Sequence, residues 1–565
     1  MSIHLSNLPK SIQALRSYSA QSFLRDLLAG VTVGLVALPL AMAFGIASGV
    51  TPQAGLYTAV VAGFLISALG GSRTQIGGPT GAFVVIVAGI VARFGMSGLA
   101  MVTLMAGVLL VAMGLTGLGG AVRFIPRMVV VGFTNGIAVL IASTQIKDFF
   151  GLRTGPVPSE FLPRIKLLAA HFDSVNWSAL GLGLGALAVM ILLPRITRKI
   201  PASIVAVLLF TAIAVVFHLP VETIGSKFGG IPRGFPHFML PDFHSEHFLP
   251  LIPAAFTVAM LAALESMLSA VVADGMTGDR HNSNVELVAQ GIANLASPLF
   301  GGIPATGAIA RTATNIRSGA CSPVSGMIHA VTLLLILLLA APLASYIPLA
   351  TLAAVLFVVA YNMGEWHEIP SIFQLDSTAI SVWLVTFALT VFADLTVAVG
   401  VGLSLAALLY IRRVAETTTI ASVSEEYIRE GLPHSLQGRI IPPYVSVLRI
   451  HGPFLWGTTE KLQDVTANLE EFAPVVILRL RNMTAIDATG VHAIERLALQ
   501  LRQSGRTLLL CGVMQQPSKL MQGEHFLQRV GEANILPNIQ AALDRAKAVF
   551  EERQDALALQ DSVEE

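Results

Sequence analysis

Charge is what this 565-residue chain has little of. Only 12% of its residues are Asp, Glu, Lys or Arg, while 54% are hydrophobic and the mean hydropathy is +0.72. A soluble domain carries roughly 25% charged residues, so this composition is that of a membrane protein. Cysteine is scarce as well. Cys321 and Cys511 fall in different parts of the chain, which argues against a structural disulfide and offers no zinc-ligand spacing. The formal net charge is +1 and there is no basic tract, so nothing speaks for nucleic acid as a partner. The first twenty-odd residues, with Lys10, Arg16 and Arg25, lack the apolar core and cleavage site of a signal peptide. Also missing are a phosphate-binding Gly-rich loop and any Ser/His/Asp, metal or nucleotide constellation that rises above chance outside the apolar runs. An enzyme, an ATP-driven pump and a bound cofactor are not expected; an ion gradient would have to supply the energy.

The few charges are unevenly spread. Between Leu27 and Val122 the only ionisable residues of either sign are Arg73 and Arg93, whereas from about Arg412 onward Glu, Arg, Asp and Lys are frequent. This predicts a cytoplasmic segment over 1–24, a transmembrane domain over 25–413, a polar linker over 414–442, a soluble domain over 443–552 and a polar tail over 553–565. Apolar stretches able to cross roughly 30 Å of hydrocarbon fall near 27–47, 54–70, 79–93, 98–118, 122–145, 176–194 and 201–218. Seven more fall near 250–273, 284–300, 306–319, 322–341, 346–361, 376–392 and 394–412. Seven is odd, so two homologous halves, about 25–218 and 250–413, would enter the bilayer from opposite sides, an inverted repeat. Arg123, Arg127, Arg195, Arg198, Lys199, Arg280, Arg412 and Arg413 then fall on the cytoplasmic side, with both termini. The proposed outer loops, 146–175 and 219–249, also carry Lys and Arg, and their length weakens the rule there.

Two apolar stretches are broken by glycine and proline and restart at the same tripeptide, Thr80-Gly81-Ala82 and Thr306-Gly307-Ala308. Each follows a Gly-Gly pair and a proline: Gly77-Gly78 with Pro79, and Gly301-Gly302 with Pro304. Broken helices at matching positions of two halves point to a transporter's binding site. Their free backbone N–H groups and the positive ends of their dipoles would suit an anion, and Thr80 and Thr306 suit the capping position. The plain alternative is a pair of ordinary helix starts with small residues for close packing.

Glu265 is the only ionisable residue between Phe248 and Ala273. A lone carboxylate in such a run faces a cavity, pairs with a cation or carries a proton. Arg311, little more than one turn into the second broken helix, could add charge to the anion site or lock against Glu265. His329, amid a Leu-rich run, reads as a satisfied bundle histidine rather than a relay.

With these residues in view the membrane part resembles the sulfate permease (SulP) anion transporters, equivalent to solute carrier family 26 of animals, over nearly the whole chain. The matching stretches are Ala37-Leu38-Pro39-Leu40-Ala41-Met42-Ala43-Phe44-Gly45, Gly77-Gly78-Pro79-Thr80 and Glu265-Ser266-Met267-Leu268-Ser269-Ala270. Ala273-Asp274-Gly275-Met276-Thr277-Gly278 and Ala305-Thr306-Gly307-Ala308-Ile309-Ala310-Arg311 are most similar to the family's bacterial dicarboxylate branch. The resemblance implies a fourteen-span inverted repeat, with a core of spans one to four and eight to eleven moving against a gate made of the rest. It implies a substrate site at Leu40, Phe44, Thr80, Gly81, Ala82, Ala308, Ile309, Ala310 and Arg311, with Glu265 as the ion-coupling residue, and a homodimer.

In the soluble part, strands near 444–451, 475–480 and 507–511 alternate with helical patterns near 458–471, 490–503 and 537–551, an α/β sandwich. It resembles the STAS domain that ends these transporters. Relatives that act as anti-sigma-factor antagonists carry a serine after the loop aspartate for phosphorylation. Here the loop is Asp487-Ala488-Thr489-Gly490, so only Thr489 remains as a regulatory candidate, and a capping loop in a domain that docks a cytoplasmic partner or stabilises a dimer is the simpler reading. The expected function is proton-coupled uptake of small dicarboxylates such as succinate, fumarate or aspartate across a bacterial inner membrane. Sulfate or bicarbonate carried with sodium is the alternative, and a membrane ligand sensor signalling through STAS is the rival from another class.

Overall fold

The computed structural model describes residues 8–15, 18–120, 126–197, 201–231, 234–240, 248–393, 395–422, 441–467 and 469–564. They form two compact units, Met1–Ala406 and Ala407–Glu565. Most of the expected linker, 423–440, lies outside the described residues, as do Arg123, Arg198 and Lys199 of the charge pattern.

The first unit is helical. Its elements are α1 (Lys10–Leu15), α2 (Ala20–Ala47), α3 (Pro52–Leu69), the short strand β1 (Gly77–Gly78), α4 (Gly81–Leu115), α5 (Arg127–Phe150), α6 (Phe161–Ala170), α7 (Trp177–Ile196), α8 (Ala202–Val216) and α9 (Ile224–Phe228). The second half supplies α10 (Phe248–Thr277), α11 (Ser283–Leu299), the strand β2 (Thr306–Gly307), α12 (Ile309–Arg317), α13 (Val324–Ala344), α14 (Leu349–Met363), α15 (Ile369–Ile372), α16 (Ser377–Phe392) and α17 (Leu395–Thr417), which runs into the second unit. Gly95, at φ 68 and ψ −171, breaks α4 in the left-handed region open to glycine, so its two halves are the predicted third and fourth spans. Among the described residues a helix stands at each of the fourteen predicted stretches, and eight helices are long and apolar enough to cross a membrane by length and composition. The helices α1, α6, α9 and α15 were not predicted; they are short and carry no long apolar run.

Packing divides the helices along the line expected of core and gate. α4 packs on α10 and α11, α2 and α3 pack on α13, and α12 packs on α10 and α2. In the other group α5 packs on α14 and α16, and α7 on α8 and α14. Small residues allow the approach: a Cβ on Gly107 of α4 would lie 2.9 Å from the Gly291 carbonyl of α11, and one on Gly291 would lie 2.7 Å from the Gly107 carbonyl. Bilayer tails give no hydrophobic drive between helices, so such backbone contact is what holds them.

The second unit is built on one sheet in the order β3 (Thr419–Ser422), β4 (Val445–His451), β5 (Val475–Asn482), β6 (Thr507–Cys511), β7 (Ile535–Leu536). β3 is antiparallel to β4, and the other pairs are parallel. Helices α18 (Glu460–Val465), α19 (Ala488–Gln503), α20 (Gln515–Met521), α21 (Glu524–Val530) and α22 (Ile539–Glu564) accompany it. β5 is buried over Val475–Leu480, since side chains of α19 and α21 cover one face and those of α22 the other. Two expected boundaries change. Part of the stretch read as polar linker is β3, whose Thr-Ile-Ala-Ser pattern gives no strand signal until β4 offers an edge; and the polar tail is helix up to Glu564.

Candidate functional site

The twin interruptions meet. β1 and β2 pair antiparallel, Gly77 with Gly307 and Gly78 with Thr306. Each strand leads within a few residues into a helix, β1 into α4 and β2 into α12, so the antiparallel pairing sets two helix starts side by side and running in opposed directions. Hydroxyls staple the first strand's approach to the second repeat. Thr312 Oγ1 accepts from Ile76 N at 3.0 Å and lies 3.0 Å from Ser269 Oγ, and Asn315 Nδ2 donates to the Thr74 carbonyl at 2.9 Å. Glu286, fully buried at the start of α11, accepts from Gly71 N and Ser72 N at 2.9 and 3.2 Å and from Gln290 Nε2 at 2.8 Å. Sequence reading missed these residues; the polar side chains at 312 and 315 on a short membrane helix were the available signal.

The two tripeptides are not used alike. Thr80 is the N-cap of α4, but its hydroxyl makes no capping bond and donates instead to Glu265 Oε2 at 2.7 Å. Thr306 lies two residues before the N-cap of α12, which is Ala308; its hydroxyl donates to the Ala262 carbonyl at 3.0 Å and lies 2.7 Å from Ser266 Oγ. The expectation that both threonines sit at capping positions therefore holds for Thr80 alone. Neither helix start has a side-chain cap, which leaves first-turn N–H groups without a side-chain acceptor.

Arg311, 2% exposed, turns its Nη2 onto the Pro79 carbonyl, the residue just before the N-cap of α4. Gly78 makes the room: a Cβ there would lie 2.7 Å from Arg311 Nη1. No hydrogen bond or ion pair joins Arg311 to the half-buried Glu265 among the described residues, so of the two roles left open, locking against Glu265 is not the one adopted. His329 is completely buried, and the Gly326 carbonyl a turn earlier on α13 can serve one ring nitrogen only, so the reading of a satisfied bundle histidine holds at most in part.

Around the start of α4, a Cβ on Gly81 would lie 3.4 Å from Phe44 Cε1, 3.0 Å from Ile141 Cδ1 and 3.3 Å from Met363 Sδ. Phe44 is thus placed at the helix start, and Ile141 of α5 and Met363 of α14 face it from the gate helices. Nothing marked those two in the sequence, because apolar residues in apolar helices carry no local signal. Ala82 is buried and Leu40 half-buried, whereas Ile309 and Ala310 leave the start of α12 open. A cleft of about 430 Å³ begins one turn along α4 and runs between core and gate helices, lined by Ile86, Ile90 and Arg93 of α4, Leu140 of α5, Ala254 of α10 and Thr390 of α16. In the second unit Thr489 is exposed in the first turn of α19, where Asp487 is the cap and accepts from Gly490 N at 2.9 Å.

Residues 23–386 match the model of the sulfate permease family, and residues 439–545 match that of the STAS domain. The chain belongs to the sulfate permease family. It is 42% identical over 522 residues to the putative sulfate transporter YvdB of Bacillus subtilis, covering 92% of this chain and 97% of that protein. To the bicarbonate transporter BicA of Picosynechococcus it is 30% identical over 545 residues, 92% and 94% of the two chains. Among solved structures it is similar to the transmembrane domain of a cyanobacterial BicA, at 32% identity and TM-score 0.61 over 68% of this chain and 99% of that one. The murine solute carrier 26 family member A9 anion transporter shares the fold across 97% and 96% of the chains, with TM-score 0.84 at 18% identity. As a family member the chain is a multi-pass membrane anion transporter with a C-terminal STAS domain, and not an enzyme.

Proposed function

We propose that the chain is a secondary active transporter that holds a small oxyanion at the facing starts of α4 and α12 and couples its movement to a proton on Glu265. The observation that carries the reading is the β1–β2 pair, which brings two uncapped helix starts of opposed direction together beside one arginine. Helix N-termini attract anions through free N–H groups and the dipole. The cleft along α4 gives the core a surface along which to move relative to the gate.

Sulfate and bicarbonate, the anions named for its relatives, are the first substrates to test. Dicarboxylates such as succinate, fumarate or aspartate are the second reading, supported by the Ala305–Arg311 stretch, which borders the site. The other stretch behind that reading, Ala273–Gly278, begins eight residues after Glu265, roughly 12 Å along α10, and so says nothing of the pocket. A proton is favoured over sodium because Glu265 is the one carboxylate at these helix starts among the described residues and can carry a proton unaided, whereas a sodium ion needs several oxygens at once. A bacterial inner membrane with both termini cytoplasmic, a homodimer and a cytoplasmic partner of the STAS domain complete the proposal.

The test is uptake of labelled sulfate, bicarbonate and succinate into proteoliposomes under separately imposed proton and sodium gradients, with wild type and Glu265→Gln. Stimulation by inward protons that is lost in the variant is expected. Acid-stimulated uptake that survives Glu265→Gln refutes the proton role, and stimulation by sodium alone transfers the coupling to that ion.

A further inference from the structure

Arg311 and His329 stand beside the same two-residue strand. A Cβ on Gly63 of α3 would lie 3.0 Å from the Gly77 carbonyl and 3.8 Å from His329 Cε1, while a Cβ on the next strand residue, Gly78, would lie 2.7 Å from Arg311 Nη1. Both side chains are buried, His329 at 0% and Arg311 at 2% exposure. Arg311 Nη2 is engaged by the Pro79 carbonyl, but Nη1 meets no protein partner, and the imidazole, whose one protein neighbour for a hydrogen bond is the Gly326 carbonyl a turn earlier on α13, has a ring nitrogen left over. Two acceptors nearby are in the same condition. Gln75 Oε1, two residues before β1, and Asn315 Oδ1, one turn after Arg311, are unpaired although the amide nitrogen of each is bonded, to the Ser266 carbonyl and to the Thr74 carbonyl with Ser325 Oγ.

The chemistry of this set identifies its ligand. A guanidinium nitrogen only donates, the two amide oxygens only accept, and a neutral imidazole does one of each. An anion would be repelled by the amide oxygens and by the strand carbonyls, and a cation by the guanidinium. Water alone can satisfy donors and acceptors together, and buried water is the usual partner of polar atoms that the chain itself leaves unpaired.

We propose that a small cluster of buried water lies behind β1 and bridges Arg311 Nη1 to His329, which makes His329 a positioning residue for the guanidinium. The inference rests on the anion site proposed above, to which Arg311 contributes its charge. Through the bridge, His329 holds Nη1 while Pro79 holds Nη2, so the guanidinium stays at the start of α4. Without it, the guanidinium is held by the Pro79 carbonyl alone and is free to turn about that bond.

Two measurements on the full-length protein in proteoliposomes decide it. X-ray radiolytic footprinting in water enriched in heavy oxygen labels buried rings that touch bound water. His329 should be oxidised well above Phe83, a ring of equal burial, and labelling no greater than that of Phe83 overturns the proposal. In sulfate and succinate uptake, His329→Leu should raise KM about tenfold, the loss of a hydrogen bond to a charged group, with kcat within about twofold of wild type. His329→Gln, which keeps a donor and an acceptor, should restore KM. An unchanged KM in His329→Leu, or equal impairment of both variants, overturns the positioning role. Arg311→Met separates the two readings: wild-type KM there refutes the anion site at Arg311, while the footprint still judges the water.

Discussion

Replacing Gly78 by alanine asks whether the space at the strand crossing is reserved for Arg311. Two costs combine. Gly78 has φ +147, a conformation that L side chains rarely adopt, which costs about 1–2 kcal/mol. The new methyl would also lie 2.7 Å from Arg311 Nη1 and 3.5 Å from the Ala59 Cα. A guanidinium that is 2% exposed and tied to the Pro79 carbonyl cannot swing into solvent, so it must leave that carbonyl, and a hydrogen bond to a charged group is worth about 1.5–3 kcal/mol. The total is about 3–5 kcal/mol, the larger share of it at the site. The part borne by the site alone weakens anion affinity by about 10- to 100-fold. The assay is the KM for anion uptake in proteoliposomes, read together with thermal unfolding of the detergent-solubilised protein. Gly49→Ala is the control: its φ is +75 with nothing within 4 Å, so it bears a backbone cost only and should leave KM unchanged. In an Arg311→Met background, Gly78→Ala should likewise add no more than the backbone cost. If Gly78→Ala transports with wild-type KM, or raises KM equally with and without Arg311, the reasoning is wrong.

Asp26, fully buried on α2, accepts from Cys321 N, Ser322 N, Ser322 Oγ and Tyr18 OH at 2.8, 3.2, 2.5 and 2.8 Å; Asp26→Ala strands those donors and should lower stability by about 3 kcal/mol or more, and an unchanged melting temperature would count against this. In the STAS domain, Asp487 accepts from Gly490 N and Trp456 N, each at 2.9 Å. Asp487→Ala should therefore speed hydrogen exchange at both amides by about tenfold, the worth of a helix cap, and unaltered exchange would deny the cap its role. Burial on β6 pushes the Cys511 thiol up to about 11, against the opposing charge of Arg479. At pH 7.5 a maleimide should modify the half-buried Cys321 and spare Cys511 in the folded protein; equal labelling would contradict the burial. The linkage follows the raised value: the unfolded thiol ionises first, so its stabilising contribution is whole below about pH 9 and falls away as pH rises toward 11, which urea titrations of wild type and Cys511→Ala across that range would compare.

Much of the architecture could be read along the chain because its causes are local. An apolar run of bilayer length becomes a helix wherever water is absent, since only its own backbone can satisfy its N–H and C=O groups. Two runs broken by Gly-Gly and proline therefore declared themselves as helix starts within the apolar region, and a carboxylate alone between Phe248 and Ala273 stood out as a candidate, which the structure places in a hydrogen bond with Thr80. In the second unit, Val475–Leu480 read as a strand because its apolar run is short and rich in branched residues. Where the cause was a partner distant in sequence, reading failed. Thr419–Ser422 has no strand pattern and becomes one by pairing with β4.

The candidate site shows the same division. Composition and the spacing of apolar runs determined that this is a membrane domain followed by a smaller soluble one, and the repeated tripeptide marked the place where two helices start within the apolar region, because those properties depend on residues within a turn or a span of one another; the family came from the resemblance of whole motifs. Only the tertiary structure decided that the two tripeptides use their threonines differently, that Arg311 binds the Pro79 carbonyl rather than Glu265, and that Ile141 and Met363 close on the start of α4. The Thr80–Glu265 and Arg311–Pro79 contacts join residues 185 and 232 positions apart, and contacts of that range follow from the packing of whole helices, not from the residues that make them.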